Sequence, residues 1–338
     1  MRSSLDRMTD AQLLDLRLCD LHLDIIGTPL EPRLARLFRE LHSRSVAFRP
    51  HVWLGEEWFT PDGVGGFAIP FYLAHPRLMR LERSQMMEVE GASDAEGMRL
   101  LRHEAGHALD NAYRLHRRRS WKAIFGSFHA PYPDSYRPRP NSRDYVLHLD
   151  AWYAQAHPAE DFAETFAVWL ASGARARRRY EGWHGAMRKL EYVDLLMKDL
   201  AFKPPAHPSR RKVDPLSSLK ITLREHYQVR RAHYIIALPA SYERMLYRLF
   251  SDEPRYRSFP DAAQFLRHRR RDISHVVASG TGVHRYTINH LMKQIIVRCR
   301  QLRLRLTMPE KQATYLTIAT LTTKVVQILK TGYHRIPL

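Results

Sequence analysis

Apolar positions in the first 200 residues follow two different spacings. Leucines recur with helical spacing between residues 9 and 45, with a break at Gly27-Thr28-Pro29. Residues 46–54 and 67–73 are short apolar runs of extended type, and the turn-rich stretch 61–66 separates them. This pattern predicts an α+β domain in which a small sheet accompanies several helices.

The C-terminal part of the chain has a uniformly helical pattern. Between the two parts, a stretch rich in Pro, Lys and Arg is typical of a linker. We therefore expect a first domain at 1–203, a linker at 204–214 and a mainly α-helical domain at 215–338. Segments of helical length and spacing in the last domain are residues 219–234, 242–250, 262–279, 286–306 and 313–330.

Charge is distributed very unevenly between the two parts. Residues 201–338 hold 26 Lys and Arg against 8 Asp and Glu, whereas residues 1–200 carry a net charge of only +1 out of +19. A surface this basic can bind nucleic acid, anionic lipid or an acidic protein surface. The sequence thus suggests an anionic partner, nucleic acid or an acidic protein, for residues 215–338. A cationic helical domain without any particular partner fits the composition equally well.

Three features of the sequence bear on the compartment in which the protein is expected: hydrophobic runs, the N-terminus and the cysteines. No run of 18 apolar residues occurs, so no transmembrane helix is expected. The first seven residues lack the pattern of a signal peptide. Cys19 and Cys299 are 280 positions apart and have no metal-ligand spacing. Two reduced thiols in a cytoplasmic protein are the simplest interpretation.

One helical stretch contains the pattern H-E-x-x-H, from His103 to His107. On a helix the two histidines lie one turn apart on the same face, about 6 Å along the axis, where both can bind one Zn²⁺. Glu104 lies beside them and can take a proton from a metal-activated water. Ser93-Asp94 with Glu96 provides a helix start. The pattern is short, so a zinc site also requires a third ligand elsewhere.

The best source of that ligand is residues 157–170, where Pro158 is suited to a helix start. Glu160 and Glu164 share one face of this helix. We expect Glu160 to be the third ligand and Glu164 to accept a hydrogen bond from the far nitrogen of a ligating histidine. Asp161 is an alternative ligand, although it faces differently from Glu164. Both glutamates could also be simple partners of the helix dipole on a solvated face.

Three further regions have candidate roles. Asp110 shares the metal face of its helix but is too far from His103 for the same ion, so contact with a site histidine or a cap for neighbouring backbone is expected. Residues 66–73 are a candidate edge strand for pairing with an extended substrate, or a plain hydrophobic hairpin. The Pro-, Tyr- and Arg-rich segment 126–144 forms either a cleft wall, with His129, Tyr132 and Tyr136 as substrate contacts, or a packed structural loop.

H-E-x-x-H followed by the E-x-F-A-E of residues 160–164 resembles the glutamate-zincin metallopeptidases, the group that includes anthrax lethal factor. The run 148–170 is more closely similar to a bacterial family of zinc-binding metallopeptidases. The resemblance covers about residues 5–200. It implies a zincin-like fold with a small sheet over the H-E-x-x-H helix, and Glu160 as metal ligand. It also implies that Tyr153, seven residues before Glu160, stabilises the oxyanion; without the resemblance, Tyr153 would be a buried structural tyrosine.

These observations predict a zinc metallopeptidase that hydrolyses peptide bonds of a peptide or protein substrate. His103, His107 and Glu160 would hold the metal, Glu104 would act as general base and Tyr153 would bind the oxyanion. Glu164 and Asp110 would orient these groups. The alternative is a nucleic-acid- or protein-binding regulator in which the zincin-like domain is only a scaffold.

Overall fold

A computed structural model describes residues 2–133, 135–136, 138–140, 142–172, 174–207, 209–235, 242–330 and 336–337. The chain divides into two compact units. The first contains the described residues up to Ser84 and from Val89 to Glu225, and the second contains 85–88 and the described residues from His226 to Ile336.

Helices dominate the first 200 residues, and a small sheet accompanies them. The helical expectation for residues 9–45 is correct only in part: Asp10–Leu14 and Leu30–Ser43 are α-helical, but Arg17 is extended and pairs with Thr222, so the first helix ends early. The strands are β1 (His51–Gly55) and β2 (Gly66–Pro70), with a two-residue strand β3 (Ser135–Tyr136). The helices are α1 (Arg2–Arg7), α2 (Asp10–Leu14), α3 (Leu30–Ser43), α4 (Pro76–Met86), α5 (Asp94–Tyr113), α6 (Arg119–Phe125), α7 (Pro158–Ser172), α8 (Ala174–Arg179) and α9 (His184–Asp199). The coarse expectation of an α+β architecture is therefore confirmed.

Helix α5 is the central element of the first unit. Its start is capped by Ser93, whose hydroxyl accepts a hydrogen bond from the backbone N–H of Glu96 at 3.2 Å. The side chain of Arg102 extends from α5 and donates two hydrogen bonds to the Glu40 carboxylate of α3, at 2.7 and 2.8 Å. This paired interaction fixes α5 against α3.

Helices α5 and α7 approach each other unusually closely at one point. A Cβ atom placed on Gly106 would lie 2.9 Å from the Cα atom of Ala163 and 3.2 Å from its carbonyl oxygen. Only a residue without a side chain fits there, because real Cβ contacts are longer than this. The small residues at this crossing bring the polar faces of α5 and α7 together.

The sheet of the first unit consists of β1 and β2, which are parallel with Trp53 opposite Ala68. All five residues of β2 are buried, and the backbone N–H of Ala68 donates to the carbonyl oxygen of Phe59 at 2.8 Å. Residues 71–74 form a buried 3-10 turn instead of continuing the strand. The expected edge strand 66–73 is therefore shorter than predicted, and one isolated bridge from Phe59 to Ala68 occupies part of its free edge. The alternative of a hairpin is wrong, because β1 and β2 are parallel. Pairing of β2 with an extended substrate stays a prediction.

The loop between β1 and β2 lies along α5. The side-chain amide of Asn111 donates to the carbonyl oxygens of Pro61 and Val64, at 3.0 and 3.2 Å. Asn111 is buried, so these bonds also satisfy an amide that would otherwise be costly to bury. The bonds hold the loop, including Thr60, beside the middle of α5.

The predicted linker at 204–214 packs on the first unit. The indole N–H of Trp53 donates to the carbonyl oxygen of Val213 at 3.0 Å, and the backbone N–H of His207 donates to that of Ala112 at 2.9 Å. The ring of His51 lies 2.9 Å from the carbonyl oxygen of Arg211. The division between the units falls after Glu225 rather than at 204–214, because composition alone does not reveal these long-range backbone contacts.

The second unit is helical, as expected from its pattern. Its helices enclose a core of aliphatic side chains that includes Leu266, Ile273 and Leu291. The expected helix 286–306 ends early, because Arg303 adopts a positive φ of 52° and the chain turns into a short strand. The elements are α10 (Leu223–His233, which crosses the division), α11 (Glu243–Leu249), β4 (Phe250–Ser251), α12 (Ala262–Thr281), α13 (Arg285–Gln301), β5 (Arg305–Leu306), α14 (Glu310–Lys330) and β6 (Ile336–Pro337).

Strands β4 and β5 pair antiparallel beside this core. None of the helices that the structure describes is long and apolar enough to cross a membrane.

Candidate metal centre

The side chains of His103, His107 and Glu160 converge where α5 meets α7. Glu160 Oε2 lies 3.0 Å from His103 Nε2 and 3.2 Å from His107 Nε2, and the two Nε2 atoms are 3.1 Å apart. His103 and Glu160 are buried, and the His107 side chain is 17% exposed. The three residues predicted as ligands therefore come together at one point, with limited access to solvent.

This arrangement fits a zinc ion. Around four-coordinate zinc with ligand distances of about 2.0–2.1 Å, neighbouring donor atoms of the tetrahedron lie about 3.3 Å apart. His103 Nε2, His107 Nε2 and Glu160 Oε2, called the donor triangle below, form a nearly equilateral triangle with sides of 3.0–3.2 Å. Two imidazole nitrogens and one carboxylate oxygen are also a usual donor set for a zinc site that keeps a fourth position open.

Glu164 lies on the other side of the His103 ring. Its Oε1 atom is 2.9 Å from His103 Nδ1, and its Oε2 atom accepts a hydrogen bond from the backbone N–H of Leu149 at 2.8 Å. A proton held on Nδ1 by this carboxylate leaves the lone pair of Nε2 free to bind a metal ion at the centre of the donor triangle. The structure thus places Glu164 where the sequence analysis expects it.

The electrostatics of the cluster favour charged side chains. Burial alone would lower the pKa of His103, but its hydrogen bonds and charge interactions with Glu160 and Glu164 raise that pKa well above its usual range. Burial likewise opposes the charge on Glu160, yet the two histidines hold its pKa well below the usual value. A buried carboxylate is stable in this place because cationic or metal-bound partners surround it.

Asp161, the alternative ligand, is directed elsewhere. Its Oδ2 atom pairs with Lys189 Nζ of α9 at 2.7 Å, and both side chains are almost completely buried. Burial raises the pKa of Asp161 to about 7, and Lys189 opposes this increase. Asp161 therefore connects α7 to α9, and Glu160 is the carboxylate that faces the histidines.

Glu104, the expected general base, is buried on α5 and has one partner that sequence analysis does not reveal. The hydroxyl of Thr60, in the loop between the two strands, donates to Glu104 Oε2 at 2.6 Å. Thr60 is 44 residues away in sequence and belongs to no recognisable motif, so only the path of the loop along α5 brings it here. The bond fixes the orientation of the carboxylate. It uses only Oε2, so Thr60 does not occupy Oε1.

Tyr153 lies in a 3-10 turn (Asp150–Gln155) that precedes α7. Its ring centroid is 5.7 Å from that of His103. Burial raises the pKa of Tyr153 above its usual value, and the negative charge of Glu104 adds to the increase. The phenol therefore remains protonated, and its ring lies next to that of His103.

Asp110 does not contact the donor triangle, which corrects one of the two expectations for this residue. Its carboxylate pairs with His116, at 2.7 Å to Nδ1 and 2.8 Å to the backbone N–H. Asp110 is one turn beyond His107, and its side chain reaches the backbone that follows α5. The other expectation, a cap for neighbouring backbone, describes what the structure shows.

Tyr132 is the second contact that motif spacing does not predict. Its hydroxyl donates to Glu160 Oε1, whereas Oε2 is the oxygen close to the two histidines. Tyr136, the other tyrosine considered as a substrate contact, donates instead to the carbonyl oxygen of Ala151 at 2.8 Å. Only the abundance of tyrosine in this segment signals a role near the site.

Comparison with known proteins agrees with this site. Residues 97–176, which span the H-E-x-x-H motif and Glu160, match the model of a family described as "Putative zinc-binding metallo-peptidase". The expected resemblance is thereby confirmed for about a quarter of the chain. The expected zinc cofactor is confirmed as well, since the family is zinc-binding and the chain has a buried His-His-Glu group able to hold a metal ion.

No curated protein and no solved structure matches the chain.

Proposed function

We propose that this protein is a zinc-dependent peptidase that hydrolyses peptide bonds of a peptide or protein substrate. The observation that carries the proposal is the donor triangle of His103, His107 and Glu160. The family match across the same residues supports it independently of the geometry.

Zinc bound at this triangle would polarise the scissile carbonyl group and make a water molecule more acidic. Glu104 takes the proton of the attacking water and then delivers it to the nitrogen of the leaving amine. The hydrogen bond from Thr60 keeps the Glu104 carboxylate in one orientation for both transfers. Glu164 holds the His103 ring in place through Nδ1.

Tyr153 is proposed to stabilise the tetrahedral intermediate. As the carbonyl oxygen acquires negative charge, a protonated phenol beside His103 can donate a hydrogen bond to it. Two glutamates on α7 and a tyrosine just before that helix correspond to the glutamate-zincin arrangement. We therefore extend the proposal to a zincin-like first unit with a small sheet beside the H-E-x-x-H helix.

Metal analysis of the full-length protein, combined with cleavage of a peptide library, tests the proposal. We expect one tightly bound zinc per chain and cleavage that stops when a chelator is added. Glu104→Gln should retain zinc but lose activity by about 10²- to 10⁴-fold, the usual contribution of a general base. Glu96→Gln, the same change in the first turn of α5, is the matched control and should be active.

Absence of bound zinc, or full activity in Glu104→Gln, would contradict the proposal. Loss of zinc in Glu104→Gln would show that Glu104 has a different role from the one assigned to it.

The basic C-terminal part has its own proposed role, the binding of an anionic partner such as nucleic acid. On α12, Arg267, His268 and Arg271 are exposed on one face. Within the part of the chain that the structure describes, Arg267 and Arg271 form no ion pair. Unpaired cations on one helix face suit a row of phosphates or an acidic protein surface.

Binding of duplex DNA and of an acidic polypeptide, measured at several salt concentrations, tests this second role. Replacing Arg267 and Arg271 together with glutamine should weaken binding and reduce its salt dependence. Arg255→Gln is the control, since Arg255 already pairs with Glu253 at 2.9 Å. Equal binding by both variants would reject α12 as the binding surface.

A reducing compartment, such as the cytoplasm, remains the proposed location. Its support is that both cysteines are free thiols and that Cys299 lies buried in an apolar core.

A further inference from the structure

The two oxygens of the Glu160 carboxylate have different partners. Oε2 faces the histidines, at 3.0 Å from His103 Nε2 and 3.2 Å from His107 Nε2. Oε1 accepts a hydrogen bond from the hydroxyl of Tyr132. One carboxylate thus directs one oxygen to the donor triangle while the other is occupied by a phenol.

Tyr132 is held over Glu160 by a local set of contacts. Its ring stacks on that of His157, with centroids 4.2 Å apart and an interplanar angle of 24°. His157 Nδ1 accepts a hydrogen bond from the backbone N–H of Ala159 at 3.1 Å, and its Nε2 lies 3.0 Å from the carbonyl oxygen of Ala130. His157 therefore connects the start of α7 to the segment that carries Tyr132.

These contacts define one tautomer of His157. Nδ1 accepts and Nε2 donates, so the ring is neutral, and burial lowers its pKa, which agrees with this assignment. Both nitrogens are occupied by backbone groups, and neither is available to a metal ion. His157 is thus a support for the Tyr132 ring, and Tyr132 is the residue that touches the carboxylate.

A carboxylate can bind a metal ion through one oxygen or through both. A hydrogen bond to one oxygen opposes binding through both, because that oxygen would have to exchange the bond for the metal. Coordination through one oxygen also preserves an open position for water or substrate. Partners of this kind typically change metal affinity by about 10- to 100-fold.

We propose that Tyr132 is a positioning residue that makes Glu160 a ligand through Oε2 alone. The proposal rests on the metal site of the proposed function. It assigns to the segment before β3 a role in metal coordination, in place of the substrate contact suggested by its composition. Tyr132 does not itself supply a metal-binding atom in this account.

The test compares zinc binding by wild-type protein and by Tyr132→Phe, which keeps the ring stacked on His157 and removes only the hydroxyl. The zinc dissociation constant is measured on the full-length chain by competition with a chromophoric chelator. We expect it to increase about tenfold in Tyr132→Phe. Tyr113→Phe is the matched control: its hydroxyl donates to the carbonyl oxygen of Lys203 at 2.6 Å, so zinc affinity should be unchanged.

The visible spectrum of the cobalt-substituted protein provides a readout that does not depend on catalysis. A site with an additional oxygen ligand absorbs more weakly than a tetrahedral one. We therefore expect weaker absorption in Tyr132→Phe than in wild type or Tyr113→Phe. Unchanged zinc affinity together with an unchanged cobalt spectrum would overturn the proposal.

A second variant separates the hydroxyl from the ring. Tyr132→Leu removes both, and on this proposal it should weaken zinc binding at least as much as Tyr132→Phe. If Tyr132→Phe behaves as wild type and only Tyr132→Leu loses affinity, the ring stack does the positioning and the proposal is wrong. Glu160→Ala tests the metal site itself. If wild type and Glu160→Ala bind zinc equally, Glu160 is not a ligand, and the error lies in the proposed function rather than in the role given to Tyr132.

Discussion

Helices α5 and α12 have the same length, 20 residues each, but bury very different side chains. The buried set of α5 includes Arg102, Glu104 and Asp110 in addition to His103. The buried set of α12 is aliphatic, aromatic or alanine except for Ser274. Both helices belong to compact units, so a stable core does not by itself require the polar groups of α5.

Each buried polar group of α5 that surrounds the candidate site has a partner from another element. Arg102 pairs with Glu40, and Glu104 accepts the hydroxyl of Thr60. His103 bonds to Glu164 of α7. Because an unpaired buried charge is costly, these partners are what make the polar groups of α5 compatible with burial, whereas the apolar packing of α12 needs none.

The largest expected effect comes from breaking the apolar core of the second unit. Leu291 on α13 is 2% exposed, and Leu291→Ala should lower the free energy of unfolding by about 2–5 kcal/mol through a cavity. Urea titration followed by circular dichroism measures this change. Leu316→Ala, at a position that is 40% exposed on α14, is the control and should change stability little.

Zinc content of the folded Leu291→Ala protein should equal that of wild type. A loss of zinc there would mean that the aliphatic core also supports the metal centre, and the contrast between α5 and α12 would not hold.

Glycine-to-alanine substitutions sharpen the contrast, since each helix contains a glycine. In Gly106→Ala the new methyl group would meet Ala163, and overpacking should cost about 1–3 kcal/mol while weakening zinc binding. In Gly280→Ala on α12 nothing lies within 4 Å of the new atom. That change should stabilise the protein by up to about 1 kcal/mol, because alanine favours helix. Thermal unfolding and chelator competition on both variants provide the comparison, and equal effects would argue against a tight α5–α7 crossing.

Removing the partner of Glu104 should have a smaller effect, confined to turnover. Thr60→Val replaces the hydroxyl by a methyl group and should reduce kcat by about 10- to 100-fold, since a hydrogen bond to a charged group contributes about 1.5–3 kcal/mol. Thr60→Ser keeps the hydroxyl and should restore most of the rate. Zinc content should be equal in all three proteins. A reduced rate in Thr60→Ser equal to that in Thr60→Val would assign the effect to packing instead.

The smallest expected effect is a pH dependence in the second unit. His284 stacks on Tyr234, and its Nδ1 accepts the backbone N–H of Tyr286. Burial lowers the pKa of His284 to about 4, and the positive charge of Arg230 lowers it further. The Glu88 carboxylate, whose Oε2 lies 3.3 Å from His284 Nε2, opposes this decrease. The unfolded chain takes up a proton near pH 6.5, so the stabilisation is complete above that pH and is lost as the pH falls toward 4.

His284→Asn can keep the helix cap but has no titration in this range. Between pH 7 and pH 5, wild type should lose of the order of 1 kcal/mol more stability than His284→Asn. Urea titrations at both pH values measure the difference, with His275→Asn, at an exposed position of α12, as the control. The same loss in all three proteins would exclude His284 as its source.

Local patterns predict the two helices of the candidate site and the three donor residues. They do not predict α4 or α6, and they predict more helix in residues 9–45 than the structure has. The spacing of His103 and His107 places both on one face, and Glu160 follows a recognisable helix start. Motifs did not reveal Thr60 or the contact of Tyr132 with Glu160, because long irregular segments bring both to the site. The bridge between residues 59 and 68 is unpredictable for the same reason: the sequence of the intervening loop specifies turns but not its path.

The two edges of the small sheet have a consequence for self-association. Phe59 caps β2 at Ala68, and residues 211–213 bond to the side chains of His51 and Trp53 along β1. Exposed strand edges are the usual template for aggregation between identical chains. Within the described part of the chain, the bridge at Ala68 interrupts the free edge of β2, so this five-residue strand offers no continuous template to a second molecule.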